Sequence, residues 1–465
     1  MRNLFPIAAF MVCGFMPLCL QPIQPVSAQA SISQPVNIPA NLKPYQPKAT
    51  AANRFTYQQN QLQNLVPENF DVNRYPINDR NAERWQNILW TVTVLSPQAD
   101  FVAQALDNIL ALTANPKLSD NQKSVVDAAM QVGTQLYLSN PGFYANVGRH
   151  FAQTIEYSSD SQWVAMSLSA LAKSRIPPSN LQQLRLRVQQ RFPNWRQDIF
   201  LYTTLQHLSS SQATRTIPPL ADLLTWQIAP GQPQMYVFCQ PNREILCLSV
   251  VKDGNGRFVE QNGQLWSVPL LLQSLHRLEW NFYRGQTPQG VYRIEGIVPQ
   301  PDDEVFRAYG QFPLVKLFVP YEDGVQEFLP NRKGKFTGNL QTYQALLPST
   351  WRNYFPIQQS YWAGKIGRSL FRIHGTGESI DFFRIKTNPA IDSYYWNPTL
   401  GCLSALELYD RNGQLQQADV PKILNMLGIL GKGKVAGYLI VVEIPSRSGG
   451  QISPMEVREA IARSK

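Results

Sequence analysis

Hydrophobic and polar positions change their period along the chain, and the changes divide it into parts. From Asn81 to about Ala221 apolar residues return every three or four positions. Trp85, Ile88, Leu89 and Val92 share one face, and Phe101, Ala105, Leu106, Ile109 and Leu112 share another, which is the spacing of amphipathic helices. Asn115-Pro116 breaks the pattern and Ser119-Asp120 opens the next helix. This predicts an all-α domain over residues 76–228 with roughly six to eight helices. Phe101-Val102-Ala103 with Leu106 returns as Trp163-Val164-Ala165 with Leu168 at an offset of 62, a hint of stacked helical hairpins. Around Ala229-Pro230-Gly231 the texture shifts to short runs: Tyr236–Cys239, Ile245–Val251, Val291–Ile294, Leu314–Val319, Leu370–Ile373 and Tyr438–Ile444, with Gly, Pro, Asn and Asp between them. These predict a β-rich domain over 235–445 with a late helix after Ala418, and a helical tail over 446–465. Residues 31–75, rich in Pro, Gln and Asn, read as a linker. The expected fold class is therefore multidomain α plus β.

Met1 to Ala30 has one charge, Arg2, then an apolar stretch from Leu4 to about Leu20 and Ala28-Gln29-Ala30, the pattern of a signal peptide over 1–30. Pro6, Pro17, Pro22 and Pro25 interrupt it, and no later segment holds ~18 uninterrupted apolar residues, so no transmembrane helix is expected after cleavage. The expectation is an exported protein of the periplasm or cell envelope. The formal net charge is +10, and loss of Arg2 leaves +9 (10 − 1). Such a charge would draw an exported chain to an acidic polymer such as cell wall, or simply keep its surface soluble. Basic residues are dispersed, which argues against a nucleic-acid partner.

Candidate chemistry is limited by four histidines and five cysteines. Cys13 and Cys19 lie in the signal segment, leaving Cys239, Cys247 and Cys402. Pro241 and Asn242 mark a turn between two strand-like runs. A hairpin centred on Arg243 would place Cys239 opposite Cys247, either as a cross-strand disulfide or as two buried thiols. Either way Cys402 is unpaired. His374 closes the apolar run Phe371-Arg372-Ile373, and Cys402 follows Gly401, so the parts of an activated thiolate are present. His150 and His207 lack a paired ligand and read as core or surface residues. No phosphate loop, paired-carboxylate motif or metal-ligand cluster is evident, and no cofactor is expected. Asp302-Asp303-Glu304 reads as a turn and Gly431-Lys432-Gly433-Lys434 as a solvated loop.

Three phrases in order carry a resemblance. Thr287-Pro288-Gln289-Gly290-Val291-Tyr292-Arg293-Ile294 is similar to the strand entry of the L,D-transpeptidase catalytic domain (the YkuD-like family). Ile373-His374-Gly375-Thr376 resembles its histidine element, and Thr399-Leu400-Gly401-Cys402 its nucleophile turn. The likeness covers about 235–445 and leaves the helical domain unexplained. It implies Cys402 as nucleophile, His374 as general base, the Gly375 carbonyl orienting His374, and the Gly401 and Cys402 amides as an oxyanion hole. Thr376, Arg372, Tyr394, Tyr395 and Trp396 would meet substrate. The chain departs from the family pattern at Leu400, which replaces a histidine, and at Ser404, where Arg or Asn is usual. The 28-residue spacing (402 − 374) is also longer by on the order of ten residues, a length that surface loops absorb. The aromatic segment Ile391 to Trp396 would cover the site. Lys365, Arg368 and Arg372 could pair with substrate carboxylates or line a solvated strand face. The implied activity is a peptidoglycan L,D-transpeptidase acting on wall stem peptides, with envelope proteins as candidate partners of the helices. A hydrolase of L,D-carboxypeptidase or amidase type on the same site, or a non-catalytic wall-binding scaffold, are the alternatives.

Overall fold

The computed structural model describes residues 45–174, 176–212, 216–300, 310–375, 396–446 and 449–463. The expected signal segment, Asp302 to Glu304, and Thr376, Tyr394 and Tyr395 therefore lie outside the described residues, as does all of the covering segment except Trp396. The remainder has a helical N-terminal region and a β-rich C-terminal part.

Helices α1 (Ala51–Asn64), α2 (Ala82–Leu95), α3 (Asp100–Leu110), α4 (Asp120–Ser139), α5 (Ala145–Tyr157), α6 (Ser161–Lys173), α7 (Pro178–Arg191), α8 (Ile199–Gln212) and α9 (Leu220–Thr225) come first. α4 is the central one. Ser119 and Gln122 close a capping box at its start, and its residues from Val125 are buried on almost every side, against α2, α3, α5 and α6. The recurring phrases fall on the first two turns of α3 and of α6, where Val102, Leu106, Val164 and Leu168 enter one apolar core.

One expectation is corrected. Residues 45–75, read as part of a linker, contain α1, capped by the Thr50 hydroxyl and packed on α2. Its buried residues include Arg54 and Gln58 rather than a row of apolar side chains, so the hydrophobic period is silent there. The same arm reaches the β part, where Gln46 N–H donates to Gly413 O at 2.8 Å and Ala51 N–H to Arg411 O at 2.9 Å.

Eight strands close a barrel in the order β1 (Gln234–Cys239), β12 (Ala436–Glu443), β6 (Gly290–Val298), β7 (Leu314–Phe318), β8 (Phe371–His374), β9 (Leu403–Ala405), β5 (Ser267–Leu271) and β2 (Cys247–Lys252). The pairs β1/β12 and β8/β9 are parallel; the other pairs are antiparallel. Two short hairpins, β3 (Glu260–Gln261) with β4 (Gln264–Leu265) and β10 (Glu407–Tyr409) with β11 (Leu415–Ala418), stand apart. One cluster draws alternate residues from every barrel strand, among them Val237, Leu270, Ile294, Leu317, Ile373, Leu403 and Val441. It is the barrel interior, joined by Ile423 and Leu427 of the late helix α12 (Val420–Leu430). The other face of β1, β2, β6, β7 and β12 packs against α9, α10 (Leu340–Gln344), α11 (Gln359–Ile366) and the tail helix α13 (Pro454–Ala462). Most of these strands are thus buried on both faces, which is why they read as nearly unbroken apolar runs.

Cys239 and Cys247 form a disulfide between β1 and β2. The strand register pairs Phe238 with Leu248, so the two cysteines are the next opposed pair.

The two parts are joined through the loop after β5. Leu278 and Phe282 leave the barrel and enter the helical core, a burial worth roughly 3–6 kcal/mol for the two together. Polar contacts surround them: Asn281 Nδ2 donates to the hydroxyls of Thr203 and Thr204 at 3.0 and 2.8 Å, and Trp280 Nε1 donates to His207 Nδ1 at 3.3 Å. Lys173 meets the buried Glu279 carboxylate at 2.7 Å. Burial pushes Glu279 upward, but Lys173 and His207 outweigh it and hold the carboxyl down at about 2.

Candidate functional site

His374 and Cys402 come to the same face because β8 and β9 are parallel neighbours. Ile373 pairs with Leu403 and His374 with Ser404, and both Ile373 and Leu403 point into the barrel. Side chains alternate along a strand, so Arg372, His374, Cys402 and Ser404 share the outer face. Cys402 and His374 are diagonal neighbours on that face, with Cα atoms on the order of 8 Å apart.

His374 is buried, and its Nδ1–H donates to the Gly375 carbonyl oxygen at 2.7 Å. A carbonyl only accepts, so Nδ1 carries the proton and Nε2 the basic lone pair. Burial lowers the histidine below its ordinary 6.5, partly opposed by the Gly375 bond. Its ring is therefore neutral at neutral pH. Gly375 has no room for a side chain, since a Cβ would run into the Glu407 carboxylate. That carboxyl accepts from Gln311 N–H at 2.8 Å and from the Tyr409 hydroxyl, and burial pushes it up to about 7.

Cys402 is half-buried and is the free cysteine of the described residues. Its thiol points to the Leu370 carbonyl at 3.7 Å. Burial raises the thiol above its ordinary 9.0, while a backbone N–H from Arg372 and the charges of Arg372 and Arg368 pull it down and Glu322 pushes it up. Leu370 itself sits at φ 62°, a left-handed conformation that a branched side chain adopts at a cost of about 1 kcal/mol. Glu322 holds it there by accepting the Leu370 N–H at 2.9 Å.

The turn that presents the thiol is fixed from two sides. Thr287 Oγ1 donates to Gly401 O at 2.9 Å, and Thr399 Oγ1 donates to Cys402 O at 2.7 Å. Gly401 lies at φ +125°, open to glycine and strained for other residues, and a Cβ there would sit 2.5 Å from Arg368 Nη2. The Gly401 N–H donates to Thr399 Oγ1 at 3.2 Å. It is engaged inside the turn, which leaves the Cys402 amide as the remaining member of the expected oxyanion pair. Ser404, facing His374 across the strands, is fully buried, and its hydroxyl has no hydrogen-bond partner among the described residues.

The other expected contacts divide. Arg372 lies beside Cys402 and is half-buried, with Nη1 donating to Phe371 O at 2.6 Å. Trp396 is half-buried and Lys365 exposed. Arg368 corrects the expectation of a substrate-facing cation, because it is 4% exposed and its guanidinium points inward to main-chain carbonyls. Thr287 was singled out only as part of a motif; its hydroxyl proves to pin the cysteine turn.

His150 bonds Asp107 at 2.9 Å and His207 lies 3.4 Å from Glu279. Among the described residues no group of His, Cys, Asp and Glu could hold a metal ion, and no helix is long and apolar enough to cross a membrane. Comparison with protein-family models, characterised proteins and solved structures finds no match for the chain.

Proposed function

We propose that the chain is an exported cysteine acyltransferase of the cell wall, an L,D-transpeptidase in reaction class. The observation that carries this reading is the shared outer face of β8 and β9, with Cys402 diagonal to a neutral histidine whose Nδ1–H is donated to the next residue's carbonyl. Such a histidine offers Nε2 to a thiol proton, and a thiol held above 9 gives that proton up as it attacks rather than beforehand. Cys402 Sγ attacks the carbonyl at the L-centre of the diaminopimelate of a wall tetrapeptide. His374 takes the thiol proton and passes it to the departing D-Ala amine, and the Cys402 amide faces the developing oxyanion. An amine then accepts the acyl group and frees the thiol. Arg372, beside the thiol on the same face, pairs with a carboxylate of the stem peptide. The substrate follows from the likeness of the Thr287, His374 and Cys402 phrases to the L,D-transpeptidase pattern, and the basic charge suits an acidic wall polymer.

The test is peptide mass spectrometry after incubation of the full chain with a carbapenem, a strained amide whose acyl group remains on an attacking thiolate. An adduct on Cys402 is the expected result. No adduct, with Cys402 also inert to small alkylating reagents in the folded chain, gives the wall-binding scaffold instead. A tetrapeptide assay with and without an added amine separates transfer from hydrolysis.

A further inference from the structure

The residue that the acyl-transfer reading does not use is Arg368. It follows Gly367, which ends α11 in the left-handed conformation at φ +97°, and it is turned wholly inward. Nη1 donates to Trp280 O and, at 3.0 Å, to Gln286 O; Nη2 donates to Gly285 O at 2.8 Å. The guanidinium carbon lies 4.8 Å from the Phe371 ring centroid. On its remaining side is the glycine that precedes Cys402, so close that no Cβ fits between them.

All the hydrogen-bond partners of this cation are neutral carbonyls, and it belongs to no ion pair among the described residues. A buried charge without a counter-ion is costly. The cost falls when a negative charge forms next to it; of the groups coupled to it, Tyr292 and Tyr283 are held neutral by burial, which leaves the Cys402 thiol to provide one. The groups facing that thiol are Arg368 and Arg372, which favour its anion, Glu322, which opposes it, and His374, diagonal to it on the same face. Arg368 itself is also faced by Tyr283 and Tyr292, both held neutral by burial.

We propose that Arg368 is a positioning residue for the Cys402 thiolate: from beneath the turn it fixes Gly401 and supplies the positive charge that compensates the sulfur anion. This deepens the acyl-transfer reading at the same site, yet its test needs no substrate. The three carbonyls that it grips belong to the loop anchored in the helices through Asn281, Trp280 and Glu279. The helical region thereby acts on the thiol through Arg368, as part of the scaffold of the site.

The experiment is the rate of alkylation of Cys402 by iodoacetamide in the full chain, read by peptide mass from neutral pH to about 10.5. Arg368→Gln keeps N–H donors for the carbonyls and removes the charge; Arg368→Lys restores the charge. In Arg368→Gln the alkylation midpoint should rise by about one pH unit, or tenfold less thiolate at a given pH below it. Arg368→Lys should return most of that shift. A folded Arg368→Gln chain with the parent midpoint, or a lysine variant no different from the glutamine one, overturns the proposal. Should Arg368→Gln not fold, Arg372→Gln decides. With the half-exposed cation gone, anionic iodoacetate at pH ~8 should still gain about threefold on iodoacetamide, relative to free cysteine. A ratio equal to that of free cysteine overturns the assignment. Failure of the carbapenem test alongside a shifted midpoint would remove the substrate reading and keep Arg368.

Discussion

Two places in one barrel carry sulfur, and their fates are opposite. Cys239 and Cys247 belong to the interior cluster, are fully buried and are bonded to each other. Cys402 comes one residue before the inward-pointing Leu403, so it takes the outer face, next to Arg372 and diagonal to His374, with Arg368 beneath its turn. The difference is one of parity. A shift of one residue in the register of β9 would turn Cys402 into the core and bring an apolar residue to face the imidazole. Thr287 and Thr399 therefore matter as much as the reactive groups, because they fix the turn at which that parity is set.

Deleting the sulfurs one site at a time tests this difference most strongly. Cys402→Ala should abolish carbapenem and iodoacetamide labelling completely and move the denaturant midpoint little, since the site is half-buried and makes no covalent bond. The Cys239→Ala, Cys247→Ala pair should label at Cys402 as the parent does and lose about 2–3 kcal/mol of stability, the expectation for so short a closed loop. Labelling that survives Cys402→Ala would sink the distinction. His374→Ala comes next. If His374 is the general base proposed above, its removal should slow acylation by a carbapenem on the order of 10²–10⁴-fold while leaving the slower iodoacetamide reaction at high pH nearly unchanged. Equal losses in both would mean that the histidine acts on the fold rather than on the proton.

A pH profile probes the imidazole and the thiol separately. His374 is held below 6.5, so it is neutral, and competent as a base, throughout the range above that value. Cys402 is held above 9.0, so its thiolate fraction grows about tenfold per pH unit between 7 and 9. Alkylation of the native chain should climb across that whole interval. A plateau below pH ~8 would instead reveal a resting thiolate–imidazolium pair.

Much of this frame is legible in the sequence, and the exceptions have physical causes. The disulfide register follows from a hairpin centred on Arg243, and the strands stand out because both faces are buried. β5 does not stand out, since Pro269 at its centre argues against a strand, and β9 is too short to show a period. Barrel closure depends on two parallel pairings between segments distant in sequence, which no local pattern encodes. Within the site, the types and order of Thr287, His374 and Cys402 could be read directly. Arg368 could not, because its partners are main-chain carbonyls, and carbonyls leave no mark on the choice of side chains.

The smallest effect expected is also the one that isolates register from chemistry. Thr287→Val keeps the shape of the side chain and deletes the hydroxyl that reaches Gly401 O and Cys402 O. The Cys402 carbonyl retains Thr399 at 2.7 Å, but the Gly401 carbonyl loses a buried donor. The loss should be about 1–2 kcal/mol of stability, measured by denaturant unfolding. If the hydroxyl does no more than satisfy that carbonyl, the labelling rate of the folded fraction stays at the parent value. If it sets the pose of the thiol, the rate of carbapenem acylation falls several-fold with the alkylation midpoint unmoved, because Arg368 and Arg372 remain in place. A changed pose with an unchanged thiol charge would assign the turn to Thr287 and the charge to the arginines. A midpoint that moves with Thr287→Val would instead show that the turn and the charge on the sulfur cannot be separated.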